Sequence, residues 1–244
     1  MSHDVFAVFA AVVTIANASA VPGSFVVWQV DLRSEEPAVS EIASLPEAGL
    51  LNGMTVLDSQ TRTVLIADSA RGVIWRLNTH TGAYSVALAD ETMQPAANAR
   101  VQLGVNGVRV CGRNVYYTST TQGLFCRVSI DATGSTVSAF DVIASWPISD
   151  DFALRPDGSA YVAVNSLNEV IKVASTGETL IVIGSLNSTI VAGATSARFG
   201  RTKSDHDLLY VTTSGGQVAP VNGTFTEGGK IVAMNLNKLW RESA

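Results

Sequence analysis

Cysteine is scarce in this sequence: Cys111 and Cys126 are the only two. Two thiols are too few for a disulfide framework, and neither stands at a metal-ligand spacing, so both read as small, half-buried apolar residues. Histidine is almost as rare. His3 lies near the terminus, His80 in the turn-like Asn78–Gly82 and His206 in the charged stretch Lys203–Asp207, and all three read as solvent-exposed turn residues. No G-x-S-x-G elbow, H-E-x-x-H pair, P-loop or C-x-x-C occurs, which removes the hydrolase, zinc, nucleotide and thiol-redox classes built on those motifs. Positive charge is also short: 16 Lys and Arg against 21 Asp and Glu give a net charge of −5. That balance leaves no electrostatic footprint for nucleic acid or for an anionic membrane.

Long apolar runs are few as well. The longest, Phe6–Ala20, ends in Ala18-Ser19-Ala20, which has the form of a signal-peptidase site. His3 and Asp4 stand where a secretory leader carries Lys or Arg, and the segment also reads as the first strand of a repeat. These features favour a cytoplasmic over a secreted location. The N-x-S/T patterns at Asn17, Asn187 and Asn222 are compatible with secretion, so the compartment stays open.

What the chain does have is 47% hydrophobic residues, mostly Val, Ala, Ile and Leu in short runs broken by Gly, Ser, Thr and Asn. This is strand-and-turn composition. Aligned, the runs are Val64–Ser69 (VLIADS), Val115–Thr120 (VYYTST), Ala160–Asn165 (AYVAVN) and Leu209–Ser214 (LYVTTS), with starts separated by 51, 45 and 49 residues. A period of about 40–50 residues suits the four-stranded blade of a propeller. Each run leads through a turn into a second strand, at Gly72–Asn78, Gly123–Ile130, Glu169–Ser175 and Gly229–Leu236. The first three are preceded by a strand opening on a turn-forming polar pair: Asn52-Gly53, Asn106-Gly107 and Asp150-Asp151. Ser196–Gly200 takes that place in the fourth.

Val5–Val12 and Phe25–Leu32 read as the middle hairpin of a preceding blade whose opening strand is missing. The expectation is therefore an all-β chain, one β-propeller domain over residues 1–244 of the six-bladed type. Its first blade is incomplete, and it is truncated at the N-terminus to about five blades. An open ring exposes strand edges, so self-association is expected if the ring does not close. No long amphipathic helix stands out. Pro95–Gln102 reads as an irregular loop with a helical turn, and the tail from Asn237 as another short helix.

The order N-G-M-T, L-I-A-D-S, G-V-N-G-V, V-Y-Y-T-S-T, D-D-F-A-L-R-P-D-G-S and A-R-F-G-R, running from Leu51 to Leu236, resembles the gluconolactonase/regucalcin-like six-bladed propellers. Within them it looks most like a fungal secondary-metabolite branch that includes hetero-Diels–Alderases of tropolone-sesquiterpenoid pathways. The resemblance implies an enzyme that joins a quinone methide to a terpene-type polyene without metal or redox cofactor. Its substrate is a small apolar molecule, and Asn52, Asn106, Asp150 and Asp151 are the polar groups facing it.

Two alternatives stand beside this reading. Metal-dependent members of the superfamily hold a divalent cation with a Glu, an Asn and an Asp; Asn106 and Asp150 match the last two, the Glu has no counterpart, and the usual Gly after the Asp is Asp151. That alternative is a Ca²⁺-dependent or other metal-dependent lactonase-like hydrolase. The other is a non-catalytic binding propeller, in which the same residues serve only turns.

Overall fold

The computed structural model describes residues 4–14, 19–146 and 148–237. The pattern at Asn17, and most of the tail expected to be helical after Asn237, lie outside them. Almost all of the described chain is strand and turn, arranged as five sheets that are the blades of a β-propeller. By contact density it divides into two compact units. The first runs to Gln122 and includes Arg127–Asp141; the second is Gly123–Cys126 with everything from Val142 onward.

In the first unit β1 (Val5–Ala10), β4 (Val26–Asp31) and β5 (Ala38–Ser44) make a three-stranded sheet, and β2 (Val13–Thr14) pairs with β3 (Ser19–Ala20). The next sheet is a full meander of β6 (Leu51–Asp58), β7 (Thr63–Asp68), β8 (Val73–Asn78) and β9 (Tyr84–Ala89). The third sheet takes β10 (Val105–Cys111), β11 (Asn114–Ser119), β12 (Leu124–Ser129) and β13 (Asp141–Ser145) in that order. In the second unit β14 (Phe152–Leu154), β15 (Ala160–Val164), β16 (Glu169–Val173) and β17 (Thr179–Gly184) form the fourth sheet, and β18 (Ala194–Phe199), β19 (Leu208–Thr213) and β20 (Ile231–Asn235) the fifth.

The aligned apolar runs are the second strands of successive blades. Strand β7 is buried along its whole length and so is β15, as a strand covered on both faces must be; this is why they read as continuous runs rather than as alternation. Strand β1, at the edge of its sheet, instead alternates between half-buried and exposed residues. Phe25, Val27, Leu45, Val64, Ile66, Trp75 and Leu77 belong to one hydrophobic core cluster of the first unit. Tyr161, Val170, Val191, Leu209, Val211 and Met234 are central to that of the second. The sequence places the helical turn at Pro95–Gln102; it falls earlier, at Glu91–Met93, where the Asp90 carboxylate accepts the Thr92 N–H and caps it. Cys111 and Cys126 are not disulfide-bonded, and His80 and His206 are exposed in turns.

Two buried polar residues hold the turns between blades. The Asp68 carboxylate, 0% exposed, accepts four N–H groups: Gly49 (2.9 Å), Leu50 (2.9 Å), Arg71 (3.1 Å) and the Trp75 indole (3.0 Å). Asn168 sits in the left-handed region at φ 56°. Its Oδ1 accepts the Gly193 N–H at 2.7 Å and its Nδ2 donates to the Leu186 carbonyl at 2.9 Å. An alanine at 168 strands both backbone partners and adds left-handed strain, so Asn168→Ala is expected to lose about 2–3 kcal/mol in urea denaturation. Asn168→Gly, which relieves the strain, is expected to lose less; equal stability of all three proteins overturns this assignment.

Candidate functional site

In an antiparallel meander the turns alternate between two ends of the sheet. The turn from second to third strand, and the link from one blade to the next, share one end; the other two turns share the opposite end. The polar pairs singled out in the sequence open the first strands, so all of them fall at the former end.

Each pair sits at a β-bulge. The register slips between Leu51 and Met54 against β7 and between Val105 and Val108 against β11. Asp150 and Asp151 stand opposite the single residue Ala163: the Asp150 N–H donates to its carbonyl at 2.9 Å, and its own N–H donates to the Asp151 carbonyl at 3.0 Å. A bulge puts two residues against one, locally kinks the strand and re-aims its side chains, a device frequent beside functional sites. In the fifth sheet the slip lies between Ala194 and Ser196. The equivalent residues there are Thr195 and Ser196, one position earlier than the Ser196–Gly200 stretch expected from sequence. Spacing alone does not locate a bulge, because the extra residue is defined only by its partner strand.

Hydrogen bonds fix the side chains at these bulges. Asn52 Nδ2 donates to Ser69 Oγ at 3.3 Å, and Ser69 Oγ donates onward to the Val105 carbonyl at 2.6 Å. Because the serine proton is committed to that carbonyl, its oxygen must accept from the amide, which fixes the amide orientation. Asn106, 3% exposed, donates from Nδ2 to Thr120 Oγ1 at 2.9 Å, and the Gly107 N–H donates to Thr118 Oγ1 at 2.9 Å. The two bulges approach closely. A Cβ on Gly53 would lie 2.5 Å from the Asn106 carbonyl oxygen and 2.9 Å from the Val108 nitrogen, distances that real Cβ atoms do not show, so glycine is required there.

In the second unit the Asp151 carboxylate accepts the Phe152 N–H at 2.8 Å and the Ser196 hydroxyl at 2.8 Å, while the Asp151 N–H donates to the Thr195 carbonyl at 3.2 Å. Asp150 Oδ1 accepts the Asp151 N–H at 3.1 Å. Asn52 and Asn106 are thus assembled within the first unit and Asp150 and Asp151 within the second, each pair through the same bulge device. Among the partners, Ser196 was anticipated as the start of Ser196–Gly200, whereas Ser69, Thr118, Thr120 and Thr195 were not singled out as site residues. For Ser69, Thr118 and Thr120 the signal was the small polar cluster that ends each apolar run, which says that hydroxyls are present and not what they bond.

A hard divalent cation requires several oxygen ligands at once. Among the described residues no three or more His, Cys, Asp or Glu come together as a metal group. Nor is any helix among them long and apolar enough to cross a membrane. A polar pocket of about 540 Å³ lies at the opposite end of the first unit, lined by Gln29, Arg33, Gln60 and Arg62, and contains none of the bulge residues.

No family model matches the chain. Among curated proteins it is similar to a Phoma sp protein named "Putative hetero-Diels-Alderase", 28% identical over 221 residues, covering 82% of this chain and 63% of the relative. It is also similar to "Putative hetero-Diels-Alderase asR5" of Sarocladium schorii, 26% identical over 227 residues, covering 80% and 56%. The chain therefore spans less than two thirds of the length of these relatives. Among solved structures it resembles the calcium-binding protein regucalcin of Agrobacterium tumefaciens (TM-score 0.56, 16% identity, 83% of this chain and 66% of that one). It also resembles a luciferin-regenerating enzyme (0.62, 16%, 93% and 78%) and a chain of the nidogen/laminin complex (0.61, 12%, 94% and 76%). At these identities the structural likenesses establish the fold, and one fold serving such different proteins leaves function to the site.

Proposed function

We propose that this protein is a hetero-Diels–Alderase that joins a quinone methide to a terpene-type polyene. The observation that carries the reading is the similarity over four fifths of the chain to two proteins bearing that name. The chemistry asks little of a protein beyond placement. The oxygen-containing diene of the quinone methide and one alkene of the polyene combine in a single addition. One C–C and one C–O bond form, the arene is restored, and no leaving group, nucleophile or redox equivalent is involved. Electron density rises on the quinone methide oxygen as the bonds form, so a fixed N–H donor aimed at that oxygen accelerates the reaction, and holding two apolar partners together supplies the rest.

Asn52 and Asn106 suit the donor role in this reading. Each primary amide donates to a hydroxyl, Ser69 or Thr120, which holds the side chain in one orientation. Asp150 and Asp151 are assigned to the polar rim contacted by the substrate, with Asp151 held by Ser196. The absence of catalytic motifs in the sequence agrees with a reaction of this kind, and the reading invokes no metal or cofactor.

The test is turnover of a quinone methide generated in situ with a humulene-type polyene, following adduct yield and enantiomeric excess with and without chelator. Enantioenriched, chelator-resistant adduct supports the proposal. Racemic product at the uncatalysed rate from folded protein overturns it, and activity lost to chelator and restored by Ca²⁺ moves the assignment to the metal-dependent alternative. Asn106→Ala is expected to slow adduct formation about tenfold, the value of one hydrogen bond lost from the transition state. An unchanged rate in a folded variant removes Asn106 from the site.

A further inference from the structure

The polar pocket of about 540 Å³ in the first unit, at the end opposite the bulges, is used by none of the roles above. Gln29 on β4 and Arg33 just beyond it line the pocket from the first sheet. Ser59, Gln60 and Arg62, in the turn from β6 to β7, line it from the second, together with Thr79. Its volume lies in the range of about 300–1,000 Å³ usual for small-molecule sites. No acidic residue is among the described residues that line it.

Arg62 stands where the backbone favours glycine. It lies in the left-handed region at φ 55°, a conformation that is unfavourable for a residue with a side chain. The turns between first and second strands of the third and fourth sheets place glycine in that region, Gly112 at φ 59° and Gly158 at φ 83°. The Arg62 conformation is fixed by its surroundings, since its carbonyl accepts the Thr79 N–H at 2.8 Å and the Thr79 hydroxyl at 3.0 Å. Strain held in this way by a well-bonded turn is a mark of functional positions.

The guanidinium is also left without an ion-pair partner. The chain has 21 Asp and Glu against 16 Lys and Arg, yet Arg62, which is exposed, pairs with no carboxylate among the described residues. Its side chain contacts only His80 Nδ1, at 3.4 Å from Nη1. Arg33, by contrast, is neutralised by Asp31, which accepts from its Nε at 2.9 Å and its Nη2 at 2.5 Å. Asp58 caps the turn by accepting the Gln60 N–H at 2.8 Å. The side chains of Gln29, Ser59 and Gln60 make no hydrogen bond among the described residues, so two amides and a hydroxyl are free in the same pocket as the unpaired arginine.

We infer that this pocket binds a small polar molecule through a carboxylate or phosphate group, which accepts N–H bonds from the Arg62 guanidinium. The planar fork of a guanidinium matches two oxygens of either group and holds its charge at any pH the protein survives. The amides of Gln29 and Gln60 and the Ser59 hydroxyl both donate and accept, which suits the polar body of such a ligand. The inference stands on this pocket alone and is independent of the proposed activity.

The experiment is a calorimetric titration of the full chain with inorganic phosphate, and separately with citrate, at constant ionic strength in chloride. The expected result is saturable binding of at least one of them at a single site, with a dissociation constant on the order of a millimolar for so small a ligand. Arg62→Gln is expected to weaken it at least tenfold. Arg113→Gln, which removes the same charge from the corresponding turn of the third sheet, is expected to leave it unchanged. Arg62→Gly is expected to lose binding while keeping or raising the urea midpoint, because glycine relieves the left-handed conformation; an arginine with a merely structural role would not show that combination. Tighter binding of phosphate identifies a phosphorylated ligand and tighter binding of citrate a polycarboxylate, and either supports the site. No saturable binding of either anion, parent-like binding by folded Arg62→Gln, or equal weakening by Arg113→Gln overturns the inference.

Discussion

Asp68→Ala is expected to lower the stability of the protein by about 3–5 kcal/mol, read as a fall in the urea midpoint at unchanged slope. The side chain is fully buried and accepts hydrogen bonds from Gly49, Leu50, Arg71 and the Trp75 indole. These donors come from three places: the link into the second blade, the turn from β7 to β8, and β8 itself. Removing the carboxylate strands four N–H groups where water does not reach easily, and each costs about 1–3 kcal/mol if left unmet, less whatever relaxation recovers. Asp68→Asn is also expected to be destabilising, because an amide offers one oxygen and turns an NH₂ group toward donors. A substitution within about 0.5 kcal/mol of the parent would show that the carboxylate does not hold these segments together.

Gly53→Ala is expected to damage stability and activity together, with a loss of about 1–3 kcal/mol and at least a hundredfold fall in adduct formation. The added methyl group would meet the Asn106 carbonyl and the Val108 nitrogen, which are backbone atoms that no rotamer change can move aside. The strands carrying Asn52 and Asn106 must separate to admit it, and displacement of a positioned group by about 1 Å is enough for a hundredfold effect. Gly228→Ala is the matched control, since nothing lies within 4 Å of its added Cβ and its φ is not in the left-handed region. Parent-like turnover by Gly53→Ala would mean that the approach of these two strands has no part in the site.

The wider placement of elements was legible because it depends on period and composition. Second strands buried on both faces, as β7 and β15 are, leave continuous apolar runs, and runs such as Val64–Ser69 and Val115–Thr120 recur at blade-length intervals, so their alignment located β7, β11, β15 and β19 directly. The glycine and polar pairs likewise marked where first strands begin. The fourth repeat departs from this pattern. Its text offered Ser196–Gly200 as the equivalent of the earlier pairs, whereas the register slip involves Thr195 and Ser196. A bulge is a relation between two strands, and one strand read alone does not contain it.

The fold class, the number and order of the repeats, and the residue types at their openings follow from the order of residues alone, because strand propensity, burial and turn chemistry act over a few neighbouring residues. Tertiary structure decided what those residues do. That Asp68 collects four donors and that Gly53 has no room for a methyl group because of Asn106 are both consequences of segments about 3 to 55 residues apart meeting through strand pairing and blade packing. Such meetings are set by the free energy of the whole packed arrangement, which no local pattern encodes.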